Sequence, residues 1–177
     1  MKIIKIFLTL LIYFFCTKIY SQTIAIVNVQ SLIDNNQQFI SIIDKISDNQ
    51  QNFLKNFEKK ENELIEMLND IENAKLILSE NEINLQIDNY NKELQDFKLV
   101  VDNFNIHYED QINYIREIIF KEIILILEKY ATDNKIDLIL DSTSYLIASN
   151  ILDITIKIRE ELKKIDLQLD YKDFEAN

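Results

Sequence analysis

Few residues in this chain could do chemistry. Its 177 residues include one histidine, His107, one cysteine, Cys16, and no glycine. A serine or cysteine nucleophile normally needs a histidine base, and a structural zinc site usually takes four Cys or His ligands. Loops that bring backbone N–H groups close to phosphate need glycine. We therefore predict that the protein is not an enzyme and that it has no catalytic residue, metal site or cofactor.

Acidic side chains are the commonest titratable groups, with 30 Asp plus Glu against 19 Lys plus Arg and a formal charge of −11. Adjacent carboxylates such as Glu109 and Asp110 follow from this abundance, and no pair stands out for acid–base catalysis. A surplus of negative charge also opposes binding to nucleic-acid phosphates. We expect no nucleic-acid partner. The chain is 47% hydrophobic, which is the composition of a folded protein.

The first 21 residues have the pattern of a secretory signal peptide. Lys2 and Lys5 precede an apolar run over residues 6–16, and cleavage is predicted after Ser21. This run is shorter than the roughly 20 apolar residues of a membrane-spanning helix. An uncleaved anchor is the alternative. We predict export, which leaves 16 basic and 30 acidic residues and no cysteine in the mature chain.

Three short β-branched runs predict strands, at residues 24–29, 136–141 and 145–148. The polar residues 142–144 between the second and third runs predict a turn, and therefore a β-hairpin. Asp153 or Thr155 is placed to cap a final amphipathic helix that continues to about Lys164.

Between the first two strands, apolar residues recur every seven positions, which predicts long helices packed along a seam. The register of residues 43–78 does not continue in phase into that of residues 87–125. Ser79 and Glu82 fit a capping box, so we predict a chain reversal near residues 76–80 and an antiparallel hairpin. A continuous parallel coiled coil with a skip is the alternative. The predicted seam residues are Ile43, Ile46, Phe53, Phe57, Leu64, Met67, Ile71, Ile87, Tyr90, Leu94, Phe97, Val101, Phe104, Tyr108, Ile115 and Ile118.

The predicted fold class is α+β and mostly helical, with a small β body and a long coiled-coil arm. Residues 22–42 and 126–177 form the body with its flanking helices, and residues 43–125 form the arm. A two-helix arm buries one seam only, and a body this small leaves strand edges open, so we expect self-association through the body. The predicted oligomerisation residues are Ile24, Ile26, Val27, Val29, Leu138, Ile139, Leu140, Leu146 and Ile147.

This order of elements resembles the periplasmic chaperones of the Skp (OmpH-like) family. The resemblance rests on residues 24–29 leading into a helix, and on residues 136–141 followed by Tyr145 and by Asp153-Ile154-Thr155. It implies a homotrimer whose arms enclose a cavity and hold unfolded outer-membrane β-barrel proteins without ATP. The main alternative is a structural or adaptor coiled-coil protein of the cell envelope.

The arm departs from the best-known relatives, which are basic, because residues 43–125 carry 18 acidic and 9 basic side chains. Membrane association is therefore predicted to be weak or indirect. His107 is expected to be a half-exposed helix residue. The aromatic residues of the seam are expected to pack in it rather than to contact clients. The apolar repeat is interrupted by three polar residues, Gln50, Lys60 and Gln111. They could set the register of the helices, bend the arm or make it flexible, and we favour flexibility.

Overall fold

The computed structural model describes residues 22–175, so the predicted signal peptide lies outside the described residues. The elements in chain order are strand β1 (Ile24–Val27), helices α1 (Val29–Asp34), α2 (Gln37–Ala74) and α3 (Glu80–Asn134), strand β2 (Leu138–Asp141), two 3₁₀ turns (Ser142–Ser144 and Asn150–Leu152), and helix α4 (Thr155–Leu162). The predicted class, mostly helical with a small sheet, is confirmed.

The two strands pair in parallel, with Ile24 opposite Leu138 and Val27 opposite Asp141. β1 ends at Val27, before Val29, because the Asn28 side chain accepts from the Ser31 N–H and begins α1. Val29 was predicted as a strand residue and is instead the first residue of a helix. Pairing in parallel is possible because the long helical connection carries the chain back to the same end of the sheet.

The predicted β-hairpin is wrong in the described chain, because residues 145–148 form no strand there. The Asp141 carboxylate accepts from the backbone N–H and the hydroxyl of Thr143, at 3.0 and 2.7 Å, and this starts a 3₁₀ turn. The chain leaves β2 in that turn and does not pair back along the strand. Leu146 and Ile147, predicted in the third strand, are 100% and 92% exposed.

A break between α1 and α2 is a feature that the apolar repeat did not predict. Asn35 ends α1, and the Asn36 side chain accepts from the Phe39 N–H at 3.0 Å, which caps α2. Two successive asparagines suit this point because their short amide side chains satisfy helix ends that would otherwise be unpaired.

The predicted reversal is confirmed, since α2 ends at Ala74 and α3 begins at Glu80. The Glu82 carboxylate accepts from the Ser79 backbone N–H at 3.0 Å and from its hydroxyl at 2.6 Å. This capping box fixes the start of α3. At about 1.5 Å per residue, the 38 residues of α2 and the 55 residues of α3 extend about 57 and 82 Å.

The body core forms where the C-terminal part of α3 packs against α1, α4 and β2. Ile115, Ile119 and Ile123 are fully buried, as are Ile158 and Leu162 of α4. The start of α4 is joined to the end of β1 by two hydrogen bonds of 2.9 Å. Ile154 N–H, just before α4, donates to the Ile26 carbonyl, and Asn28 N–H, just after β1, donates to the Thr155 hydroxyl. The predicted final helix is therefore present, and it packs against the C-terminal part of α3.

Candidate functional site

The arm is held together by an aromatic ladder between α2 and α3. The Phe57 ring lies 5.0 Å from the Phe104 ring and 5.8 Å from the Phe97 ring, edge-on in both cases. Phe53 and Tyr108 extend the ladder towards the body, each packed against Phe104. Such tilted and edge-to-face pairs add stability beyond the apolar area that they bury. The ladder packs α2 against α3 in the part of the arm nearer to the body, which we call the lower arm.

The structure places every predicted seam residue in a buried or half-buried position. The buried ones are Ile46, Leu64, Ile71, Phe104, Tyr108 and Ile115. Beyond Ile115 the buried stripe of α3 changes spacing and continues through Ile119, Ile123 and Leu127. The seven-residue repeat predicts Ile118 and Leu125 as the next positions and therefore misses these residues. The spacing changes because α3 there packs on the body and not on one partner helix.

The C-terminal segment, residues 163–175, runs along α2 towards the ladder, which the sequence did not reveal. The Gln38 side chain donates to the Ile165 carbonyl and accepts from the Leu167 N–H, at 2.8 and 3.0 Å. Further along, Asn49 donates to Asp173 at 2.9 Å. Phe174 then packs 5.5 Å from Phe53. A signal was available, since the tail, for which the sequence predicts no helix or strand, contains the apolar residues Leu167, Leu169, Tyr171 and Phe174.

His107 and Tyr108 link α3 to this segment. His107 Nε2 lies 2.7 Å from the Lys172 carbonyl oxygen, and its ring is half-buried against Tyr108 and Phe174. The Tyr108 hydroxyl donates to Asn49 and accepts from the Phe174 N–H. Burial raises the pKa of Tyr108. His107 thus helps to hold the C-terminal segment against α3 by packing and hydrogen bonding.

Two of the three interruptions in the repeat have partners. Lys60 donates to Glu93 across the seam at 2.7 Å, and this hydrogen bond raises the pKa of Lys60 and lowers that of Glu93. Gln111 accepts from the Lys172 N–H at 3.1 Å. Because they are engaged in this way, Lys60 joins the two helices and Gln111 holds the C-terminal segment. Flexibility at these positions stays a prediction.

The tip of the hairpin carries exposed aliphatic side chains. Leu76 and Ile77, in the turn between α2 and α3, are 91% and 83% exposed. Beside them, the hydrogen bonds from the Ser79 hydroxyl and N–H lower the pKa of Glu82. The tip thus combines a fixed backbone with an apolar surface.

The predicted oligomerisation residues differ in exposure, and three of them, Val29, Ile139 and Leu140, are half-buried. Ile26 and Val27 are buried within the single chain, whereas Ile24 and Leu138 lie exposed at the start of the paired strands. Leu146 and Ile147 project from the segment between β2 and α4, close in sequence to the exposed Ile151. Ile139 of β2 also lines an open apolar groove of about 620 Å³, together with Phe120 and Ile124 of α3. This surface stays a predicted interface.

Within residues 22–175, no group of three or more His, Cys, Asp or Glu side chains is placed to hold a metal ion. Over the same residues, every helix is too short or too polar to span a bilayer. Exposed aliphatic side chains occur on the flanks and tip of the arm and on the body, interleaved with charged residues. Exposed apolar surface of this kind can contact other chains.

The fold and these surfaces define a class of protein in which a helical-hairpin arm projects from a small mixed body. The chain belongs to the OmpH-like family: the family model described as outer membrane protein (OmpH-like) matches residues 23–162. The resemblance drawn from the sequence is therefore confirmed. No curated protein sequence matches the chain.

A solved structure shares the fold. It is that of a Caulobacter crescentus CB15 protein described as an outer membrane chaperone (OmpH-like), with a TM-score of 0.71 and 10% sequence identity. The match covers 86% of this chain and 90% of that one. At this identity, the likeness shows that the arm-and-body architecture is common to both proteins.

Proposed function

We propose that this protein is a non-enzymatic holding chaperone of the periplasm, which binds unfolded outer-membrane β-barrel proteins and prevents their aggregation. The observation that carries the proposal is the arm, a projecting helical hairpin on which large aliphatic side chains stay exposed, including Leu54, Ile65, Leu68 and Ile106. Unfolded barrel strands alternate apolar and polar residues and would otherwise associate through their edges. Many weak contacts on a long arm suit such clients. Family membership supports a chaperone role in general.

Assembly into a homotrimer through the body is part of the proposal. Leu146, Ile147 and Ile151 are exposed aliphatic residues of the body. Thr143, three residues before Leu146, lines an open apolar groove. Removing such side chains from water is the usual driving force of association. Three bodies in contact would place three arms around one space, in which a client could be held.

We also propose that residues 1–21 direct export of the protein to the periplasm. We infer the division into a body of residues 22–42 and 126–177 and an arm of residues 43–125. The paired strands and α4 support the body, and the aromatic ladder supports the lower arm. The aromatic ladder fills the seam in this part of the arm, so we expect client contacts on the exposed flanks and not in the seam.

The test of the holding function is aggregation of a denatured outer-membrane β-barrel protein diluted into buffer with the purified protein. We expect light scattering to fall in proportion to the protein added, without ATP. An acidic coiled-coil protein of similar length is the control, and it should leave scattering unchanged. If this protein also fails to suppress scattering, the proposal is wrong and a spacer or adaptor role in the envelope is favoured.

The trimer is tested separately by size-exclusion chromatography with light scattering. We expect the mass of three chains, and partial or full dissociation in the double variant Leu146→Ser, Ile147→Ser. Leu99→Ser is the matched control, because Leu99 is an exposed leucine of the arm and not of the body. A stable folded monomer at micromolar concentration would contradict the trimer.

A further inference from the structure

An open apolar cleft of about 550 Å³ lies along one flank of the arm, between α2 and α3. Leu64, Phe97 and Val101 line it as buried or half-buried residues, while Ile65 and Leu68 line it with 57% and 44% of their surface exposed. A two-helix arm has one internal seam, so apolar side chains on the flank have no third helix to cover them. The cleft is therefore an apolar surface that remains open to solvent.

Acidic residues are interleaved with these apolar ones. Glu61 and Asp102 line the cleft, and Lys98 is the one basic residue among the described lining residues. On α2, at 100° per residue, Leu54, Glu58, Glu61, Ile65 and Leu68 fall within an arc of about 80°. All five are exposed. They form a mixed stripe along the helix, in an arm whose residues 43–125 carry 18 acidic and 9 basic side chains.

We propose that this cleft binds extended segments of unfolded client chains in which apolar residues alternate with Lys or Arg. Apolar side chains of the segment enter the cleft, and the long stems of the cations between them bend back to reach Glu61 and Asp102 at its rim, and Glu58 about one turn away on the same face of α2. Anionic segments with the same apolar residues are disfavoured by these carboxylates. The inference rests on the proposed holding function and specifies its client class.

The probes are two fluorescein-labelled peptides of about 20 residues, a length that spans the cleft when extended. Both repeat apolar, Ser, apolar, charged; the charged residue is Lys in one peptide and Glu in the other. Fluorescence anisotropy gives Kd at about 50 and about 300 mM NaCl, because added salt screens exposed charges. We expect the Lys peptide to bind about tenfold more tightly at low salt, and the difference to shrink at high salt.

Variants separate the charge contribution from the apolar one. Glu58→Gln, Glu61→Gln, Asp102→Asn should remove most of the preference for the Lys peptide. The control triple Asp70→Asn, Asp96→Asn, Asp110→Asn removes the same charge from exposed residues that lie about 155° to 170° around the helices from the mean direction of the cleft-lining residues. It should retain most of the preference. Ile65→Ser should weaken both peptides several-fold, and Leu99→Ser, of nearly equal exposure, should weaken neither.

Equal binding of the two peptides at low salt would overturn the inference, as would equal effects of the two triple variants, or no binding of either peptide. Self-association that is lost in Ile65→Ser would assign the cleft to a second copy and would also overturn it. Any of these results, in a protein that still suppresses barrel-protein aggregation, refutes the client class alone. If the unmodified protein does not suppress aggregation of the barrel protein, the holding function itself is refuted. Circular dichroism checks that each variant retains its helices.

Discussion

The ring of Phe174 stands perpendicular to the ring of Phe104, with the ring centroids 5.5 Å apart. Phe174 lies near the end of the chain and Phe104 in the middle of α3, so the contact joins the C-terminal segment to the aromatic ladder. Phe53 of α2 contacts both rings. The lower arm is therefore a three-part structure, in which an irregular segment covers the seam of two helices.

Phe174→Ala should loosen the base of the arm. The ring is half-buried and touches three other aromatic side chains, so we expect a loss of about 1–3 kcal/mol in the free energy of unfolding. Hydrogen exchange should accelerate in α2 and α3 around Phe53 and Phe104. Tyr114→Ala, which removes an exposed ring from α3, is the control. Unchanged exchange in both variants would mean that the segment adds nothing to the arm.

The substitutions Ile119→Ala and Leu125→Ala should lower the free energy of unfolding by very different amounts. The seven-residue repeat extends to Leu125, yet the structure buries Ile119 completely and leaves Leu125 57% exposed. Emptying a fully buried isoleucine site should cost about 2–5 kcal/mol, whereas an exposed site should cost less than about 0.5 kcal/mol. Urea unfolding at one protein concentration measures both. Similar losses would place α3 in a different register on the body.

Lys60→Leu should stabilise the arm. Lys60 occupies a seam position, and both it and Glu93 keep a third or more of their side-chain surface exposed. Such an ion pair contributes about 0–1 kcal/mol, while a leucine packed in the seam should contribute about 1–2 kcal/mol. We expect a higher Tm, and Lys59→Leu, on the exposed face, is the control. A clear drop in Tm for Lys60→Leu would show that the ion pair fixes the register of the helices.

Asp141→Asn should destabilise the body at neutral pH and much less in acid. Burial raises the pKa of the Asp141 carboxyl, but hydrogen bonds from Thr143, Val29 and Ser142 outweigh burial and hold the pKa below its usual value. The ionised form is therefore favoured in the folded state. Its contribution is present above the unfolded pKa of about 4, and it is lost as the pH falls through the lower folded value.

An asparagine at position 141 keeps one acceptor oxygen and loses the other, so either Val29 or Thr143 is left with an unpaired donor. The expected loss is about 1–2 kcal/mol at pH 7. Chemical denaturation at pH 7 and again below pH 4, with exposed Asp96→Asn as control, measures the difference from the unmodified protein. A difference that stays constant with pH would show that the Asp141 charge plays no part.

Local patterns predicted much of this fold. Ser79 and Glu82 marked the reversal because a capping box needs only residues within one helical turn. The repeat through Phe57, Leu64 and Ile71 predicted long helices for the same reason, since its period reflects the geometry of one helix. The family resemblance followed from the order of these elements. The prediction of a third strand was wrong because residues 145–148 have the composition of a strand but no partner strand in the described chain.

The sequence by itself determined that the chain forms two long amphipathic helices with a reversal between them, that its surface is acidic, and that glycine-dependent loops are excluded. Each of these depends on composition or on residues close together in the chain. Only the tertiary structure decided that β1 and β2 run parallel, that Ile119 and Ile123 are core, and that Phe174 completes the aromatic ladder. These contacts join residues far apart in the chain, and which of them form depends on how whole elements pack to bury their apolar faces.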